Sequence, residues 1–455
     1  MSDSNRRRGG IPAYIHGPRI VFMLTVLALL LIGFAMVYSA GSITNIDAGA
    51  SPLKALTDQV VFAAIGLICA LIIYFFMPPS LWRGRAVYAV WAAAVALILA
   101  TALFGTDSYG AKRWIRIGSF SIQPSEFVKI ALVIVAVRLF SDLREQKVDS
   151  THFLIGLALG IAVPLLVMYK TQSDLGTSMI CLVALLAVFW YGEMPLGPFV
   201  AIVAAVFLLG VIAIVGVGYR SDRFSYLNPW DDGQGGYGTG YNIIHSYYAF
   251  SEGGLFGVGL GNGHEKYQYL FASDSDFIFA VIGEELGLVG ALSVIALFLL
   301  LAYMGMKIAN AASDQFGTML AGALTVALVF QAFLNMGCAA GVFPTTGKPL
   351  PFISSGGSSV IASLMMVGII LSVSRDAASS RVYDRRRADL RVVRTSDSGA
   401  RTTRDGRRPE GAPRAPRPSR DAHRSGRDSG SAEYAPSRAQ TTSQAQRSRA
   451  SARRR

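Results

Sequence analysis

The sequence predicts an all-α polytopic membrane protein. It would have ten transmembrane helices, a long extracytoplasmic loop between the seventh and eighth, and a disordered cytoplasmic tail. Three observations carry this expectation. Of 455 residues, 52% are apolar and only 16% are charged. The apolar residues fall in runs such as Val21–Tyr38 and Phe199–Val217, close to the roughly 20 that cross a bilayer. The net charge of +13 belongs to the tail: from Arg375 onward there are 22 Lys/Arg and 9 Asp/Glu, and before it 20 of each.

In chain order, an N-terminal segment (1–18) precedes a membrane domain (19–374) whose spans are expected at 19–39, 58–77, 86–105, 122–141, 153–169, 175–191, 197–217, 276–304, 317–340 and 353–374. The first apolar run is long and lacks a small-residue cleavage site, so it stays as a span and not as a removed signal. An even number of spans puts both termini on one side. Arg6, Arg7 and Arg8, then Arg83 and Arg85, and finally the basic tail assign that side to the cytoplasm. The short outward loop after span three breaks the positive-inside tendency with Lys112, Arg113 and Arg116. The longest loop, about 218–275, is rich in Gly, Tyr and Asn, and a surface-lying amphipathic helix is expected near Tyr241–Phe250.

Residues 375–455 are Arg-, Ser-, Ala- and Pro-rich, too poor in aliphatics to offset the entropy of ordering. Beside a membrane their charge suits anionic lipid headgroups, not nucleic acid. Cys69, Cys181 and Cys338 lie inside apolar runs without metal-site spacing and read as small apolar fillers. No internal repeat is visible, so the inverted-repeat plan of many transporters is not seen.

Four segments could carry chemistry. GAKRWIRIG (Gly110–Gly118) is followed by QPSEFVK (Gln123–Lys129). Glu126 and Lys129, three apart, share a helix face and can pair, while Lys112 and Arg113 could hold a phosphate or pyrophosphate. Gln123 and Ser125 stand beside them at the mouth of span four. QSDLG (Gln172–Gly176) offers Asp174 as a helix N-cap. FASDSDFIFAVIGEELG (Phe271–Gly287) opens span eight with Asp276, which could cap the helix or serve a reaction. Glu284 and Glu285 lie about 12 Å further along; at least one must be protonated, paired or facing a polar cavity. Finally, GVFPTTGKPLPFISSGGSS (Gly341–Ser359), with Lys348 and Ser354, reads as non-helical backbone beside a cavity.

In this order and nearly intact, these segments and the glycine-rich run Gly253–Gly263 resemble the SEDS family of FtsW, RodA and SpoVE over about residues 15–375, with wording closer to its FtsW branch. The resemblance implies a peptidoglycan glycosyltransferase that polymerises lipid II at the outer face of the cytoplasmic membrane during septal wall synthesis. It implies a class B penicillin-binding protein and other divisome membrane proteins as partners, and it puts the family's catalytic aspartate on Asp276. Departures fall at Asp274 and Ser275, at Tyr241–Ser246, and at Ser355, where the family commonly has Tyr. They leave the reaction class intact and bear on how the acceptor is held.

In that chemistry a carboxylate takes the proton of an attacking sugar hydroxyl, and cations meet the charge on the leaving pyrophosphate. Asp276 is assigned the first role, and Lys112, Arg113, Arg220 and Arg223 the second. Gln123, Ser125, Glu126, Lys129, Lys348 and Ser354 complete the expected substrate-binding set. A divalent cation, Mg²⁺ or Mn²⁺, could join at Asp276; no organic cofactor is expected. Two alternatives stay open: a lipid II flippase, and the RodA-like polymerase of elongation.

Overall fold

A computed structural model of the chain describes residues 13–108, 111–117, 120–215, 226 and 228–401. Each of the ten expected segments contains a helix among the described residues. Among the described residues seven helical stretches are long and apolar enough to cross a membrane. These are α1 (Ala13–Asp47), α2 (Lys54–Phe76), α4 (Ala86–Phe104), the run α6 (Ser150–Leu157) to α7 (Val163–Gln172), α11 (Ile278–Asn310), α12 (Gln315–Ala339) and the start of α13 (Gly357–Arg401). A π-helical turn, Ala158–Ala162, joins α6 to α7. The short α3 (Pro79–Arg83) precedes α4. α5 (Ser125–Arg144), α8 (Leu175–Tyr191) and α9 (Leu196–Val215) occupy the other three expected positions.

The bundle has inner and outer members. In α12 and the span of α13, 72% and 83% of the residues tested are buried, against 22% in α4, so the first two are the central staves and α4 shows most of its surface. Polar side chains follow that division. The buried Gln331 and Asn335, four residues apart on α12, face the same interior region.

Three features differ from the sequence expectation. The loop before α5 is a small antiparallel sheet in the order β1 (Thr106–Ser108), β2 (Ala111–Ile117), β3 (Phe120–Ile122), because Trp114, Ile115 and Ile117 favour strand and each strand finds a neighbour. The last helix does not end at residue 375. α13 continues to Arg401, since the stretch is free of proline and rich in Ala and Arg, both good helix formers. Its compact unit ends at Val393, and the second unit, Arg394–Arg455, is described only to Arg401. Span eight begins at Ile278, which leaves Asp276 in the loop ahead of it.

The long loop is ordered where described. Asp232 accepts the backbone N–H groups of Gln234, Gly236, Gly238 and Gly240 at 2.8–3.1 Å, and these bonds, with that of Gly236 foremost, hold its carboxyl down at about 2. The expected helix near Tyr241–Phe250 is α10 (Tyr241–Gly253), which packs on α11 with Phe250 against Phe279 and Gly283 and with Gly253 close to the Gly283 carbonyl.

α11 breaks at Gly287 (φ +67°), where the amides of Leu288 and Val289 turn to the carbonyls of Gly254 and Leu255. Gly257 (φ +81°) seats the loop against this break, and a Cβ there would overlap the Glu285 carbonyl. Gly257→Ala is therefore expected to cost about 1–3 kcal/mol. Gly261→Ala, at φ +85° with open space around it, should lose only the left-handed strain of about 1–2 kcal/mol. Thermal unfolding of the two variants side by side checks the difference.

Candidate functional site

The site is assembled where the β2 strand, the α7–α8 junction, the loop ahead of α11 and the loop between α12 and α13 meet. Asp276 does not cap α11: the N-cap position is Phe277, and no side chain caps it. The carboxylate instead opens on a cleft of about 230 Å³ of empty space, lined by Phe277, Asn335, Cys338, Thr346, Gly347 and Lys348 among others.

Gly347 (φ +66°) turns the backbone there. A Cβ on it would stand 3.6 Å from Arg113 Nη1 and 3.7 Å from Asp276 Oδ2, so guanidinium and carboxylate flank the same glycine. Burial pushes the Asp276 carboxyl up to about 6; Lys348 and Arg113 pull it down and Asp274 pushes it further up. A carboxyl in that range is half ionised near pH 6 and mostly ionised at neutral pH, ready to take a proton close to the working pH.

Arg113 is positioned by the left-handed turn that ends α7 at Ser173 (φ +47°). Its Nε donates to the Gln172 carbonyl and its Nη2 to the Ser173 carbonyl, both at 2.9 Å. Carbonyls do not neutralise a guanidinium, so its charge remains available to the cleft. Lys112, beside it on β2, is half-buried, and no carboxylate pairs with it among the described residues.

Behind the cleft lies a buried set of two cations and two anions. Lys348 Nζ is 2.7 Å from Asp174 Oδ2 and 3.7 Å from Glu126 Oε1; Lys129 Nζ is 2.6 Å from Glu126 Oε2. All four side chains are at most 1% exposed, and the set is electrically neutral. Neighbours bond to most of it, while Glu126 Oε1 has only the longer approach of Lys348. Ser125 Oγ donates to Asp174 at 2.9 Å, Lys129 donates to Gln331, and the Gln331 amide donates to the Pro349 carbonyl at 3.0 Å. Burial works against the Asp174 charge, yet Lys348, with the Thr177 amide and hydroxyl, holds its carboxyl down at about 2. Asp174 thus caps α8, as its position suggested, and anchors Lys348 as well.

The remaining expected residues support the two loops. Ser354 accepts the Leu350 amide and donates to the Ser275 carbonyl at 2.6 Å, one residue from Asp276. Gln123 is buried, and its backbone N–H donates to Ser358 Oγ at 2.9 Å, tying the end of β3 to α13. Arg220 and Arg223 lie outside the described residues.

Sequence reasoning passed over Asn335, whose side-chain amide donates to the carbonyls of Asp276 (2.9 Å) and Lys348 (2.8 Å), clamping both reactive loops to α12. The signal was there in two carboxamides, Gln331 and Asn335, one turn apart in an apolar span. The adjacent acids Glu284 and Glu285 are accommodated as expected of charge at that depth: Glu285 pairs with Lys266 at 2.7 Å, and Glu284 accepts loop amides.

The family model for the cell cycle proteins FtsW, RodA and SpoVE matches residues 19–379. The probable peptidoglycan glycosyltransferase FtsW of Mycobacterium tuberculosis is 36% identical over 380 residues, 82% of this chain and 71% of that protein. The equally named protein of Geobacter metallireducens is 39% identical over 78% of this chain and 94% of its own length. Stage V sporulation protein E of Bacillus subtilis is 35% identical over 79% and 97%. Among solved structures, a chain from a peptidoglycan synthase complex that coordinates polymerization and crosslinking superposes with a TM-score of 0.61 at 24% identity, covering 78% of this chain and 97% of that one. The rod shape determining protein RodA of Thermus thermophilus gives 0.57 at 24%, covering 78% and 96%.

Proposed function

We infer the function from a settled premise, that the chain belongs to the FtsW/RodA/SpoVE family of cell cycle proteins: it is a peptidoglycan glycosyltransferase of the cell membrane that polymerises lipid II into glycan strands at division. The observation that carries the reading is Asp276, a partly exposed carboxylate that caps nothing, opens on a cleft, and sits between the charges of Arg113 and Lys348.

Chain extension requires a sugar hydroxyl of one lipid-linked unit to attack the anomeric carbon of another. The C–O bond to the pyrophosphate breaks, the electron pair leaves with the lipid pyrophosphate, and the hydroxyl proton must go to a base. Asp276 takes that proton. Arg113, which pairs with no carboxylate among the described residues, meets the pyrophosphate, with Lys112 beside it. Lys348 is held by Asp174 and Glu126, so it orients the cleft more than it reaches for substrate.

A Mg²⁺ or Mn²⁺ ion would find one protein carboxylate here, Asp276, and would need pyrophosphate oxygens for its remaining ligands. Bound so, it would neutralise charge on the leaving group. The site faces outward, both termini are cytoplasmic, and a class B penicillin-binding protein crosslinks the strands produced. The flippase alternative finds less support, because the buried charges behind the cleft close on one another as a neutral set.

The test is polymerisation of purified lipid II by the detergent-solubilised chain with its penicillin-binding partner. Glycan strands that depend on this chain are the expected outcome. Absence of strands, with lipid II crossing vesicle membranes instead, would replace this reading with transport.

A further inference from the structure

A second cluster of ligand-type side chains stands apart from the Asp276 cleft, where the end of α10, the Gly263–Lys266 stretch and the start of α11 converge. Glu252 closes α10, His264 and Glu265 lie on the loop, and one ligand atom from each falls within 4.8 Å of the others. Exposed acids gather in this way without consequence, so the cluster alone means little. The buried group behind it gives it a direction.

Glu284 is fully buried on α11. Its Oε1 accepts the backbone N–H groups of His264 and Glu265, the latter at 3.1 Å, so the carboxylate is pressed against the loop that carries two of the three ligand residues. Its charge bears on those of Glu252 and Glu265. Its Oε2 has no hydrogen-bond partner among the described residues, a buried acceptor with nothing to accept. There is no side chain at Gly263 to crowd it; a Cβ there would come within 2.9 Å of Glu284 Oε2. Two carboxylates and one imidazole thus converge in front of a third, buried carboxylate; among the described residues Glu265 also meets His245, while nearby Lys266 is committed to Glu285.

We propose that Glu252, His264 and Glu265, backed by the buried Glu284 carboxylate, form a binding site for a first-row divalent transition metal, Zn²⁺ in class, that staples the long loop to α10 and α11. Carboxylate and imidazole ligands suit such an ion, whereas all-oxygen sets suit Mg²⁺ and Ca²⁺. Ligands held about 2.1 Å from a tetrahedral ion stand about 3.4 Å apart. The cluster therefore closes by about an ångström on binding; the exposed side chain of Glu252 can supply that movement, while the His264 ring lies stacked on Tyr269. His245 completes the arrangement from behind, its Nδ1 lying 2.6 Å from Glu265 Oε2, as an outer partner that orients a ligating carboxylate.

The test uses the full chain, purified in detergent and stripped with a chelator, titrated with Zn²⁺ by calorimetry and assayed for bound metal. One equivalent is expected, with affinity at least tenfold weaker in His264→Ala and in Glu252→Gln. Both positions are exposed, so these variants should fold, and size-exclusion profiles check that they do. Asp276→Asn should bind Zn²⁺ as the parent does, and millimolar Mg²⁺ should not displace it. Co²⁺ in place of Zn²⁺ should show visible absorption that His264→Ala loses. Sub-stoichiometric binding, parent-like affinity in either His264→Ala or Glu252→Gln, displacement by Mg²⁺, or loss of binding in Asp276→Asn would each overturn the proposal.

Discussion

Asp276→Asn is expected to lower lipid II polymerisation by about 10²–10⁴-fold, the contribution of a positioned general base, while leaving the chain no less stable. Asparagine keeps the shape of the side chain and removes only its capacity to take a proton. No helix cap is lost, because Asp276 caps nothing. The pH dependence separates this assignment from others. With its carboxyl near 6, the base is ionised at pH 7 and above and is progressively neutralised below 6. The parent rate should fall with acid around a midpoint near 6, and residual activity in the variant should lack that step.

Stability should move the other way. A carboxyl raised by folding favours the native state more as it protonates, so this group adds stability as pH falls from about 6 towards its ordinary value. The Asn variant should have lost that gain. Polymerisation and thermal unfolding measured across pH 5–8 on both proteins read the two effects. Equal polymer from both would remove Asp276 from the base role.

What the sequence could disclose depended on how local the physics was. Long apolar runs announce spans because a bilayer demands length and apolarity within one segment, and each of the ten expected segments contains a helix among the described residues. Glu126 and Lys129 were legible as a pair because three residues on a helix bring them to one face. The partner of Lys348 was not: Asp174 lies 174 residues away, and its N-cap spacing offered a complete local explanation. The same local ambiguity attached to Asp276, where a capping pattern was present and the folded backbone did not use it. The strands around Trp114 were hidden because their pairing depends on a loop closing, and the helix past residue 375 because Arg-rich sequence suggests a solvated tail even where its residues favour helix. Gln331 and Asn335 could have been found: a carboxamide in an apolar span needs a partner, and two at one face mark a polar interior.

The second large effect concerns Lys348. Lys348→Met keeps the length of the side chain and removes its charge, leaving Asp174 and Glu126 opposed only by Lys129, with net negative charge buried at most 1% exposed. Breaking a buried ion pair by deleting one partner costs about 3–5 kcal/mol, because the orphaned charge must be borne without water. The loss should be visible as a lowered unfolding temperature in a fixed detergent and as faster proteolysis of the Gly341–Ser359 loop. Adding Asp174→Asn restores neutrality and keeps the acceptor for the Thr177 amide, so the double variant should recover most of the stability. It should not recover activity, because Lys348 also bears on Asp276 across the cleft that both line. Restored stability without restored polymerisation would separate the two roles of one lysine. A single variant as stable as the parent would mean that Asp174 takes up a proton and not a partner, and the neutral four-charge set would lose its part in holding the loop.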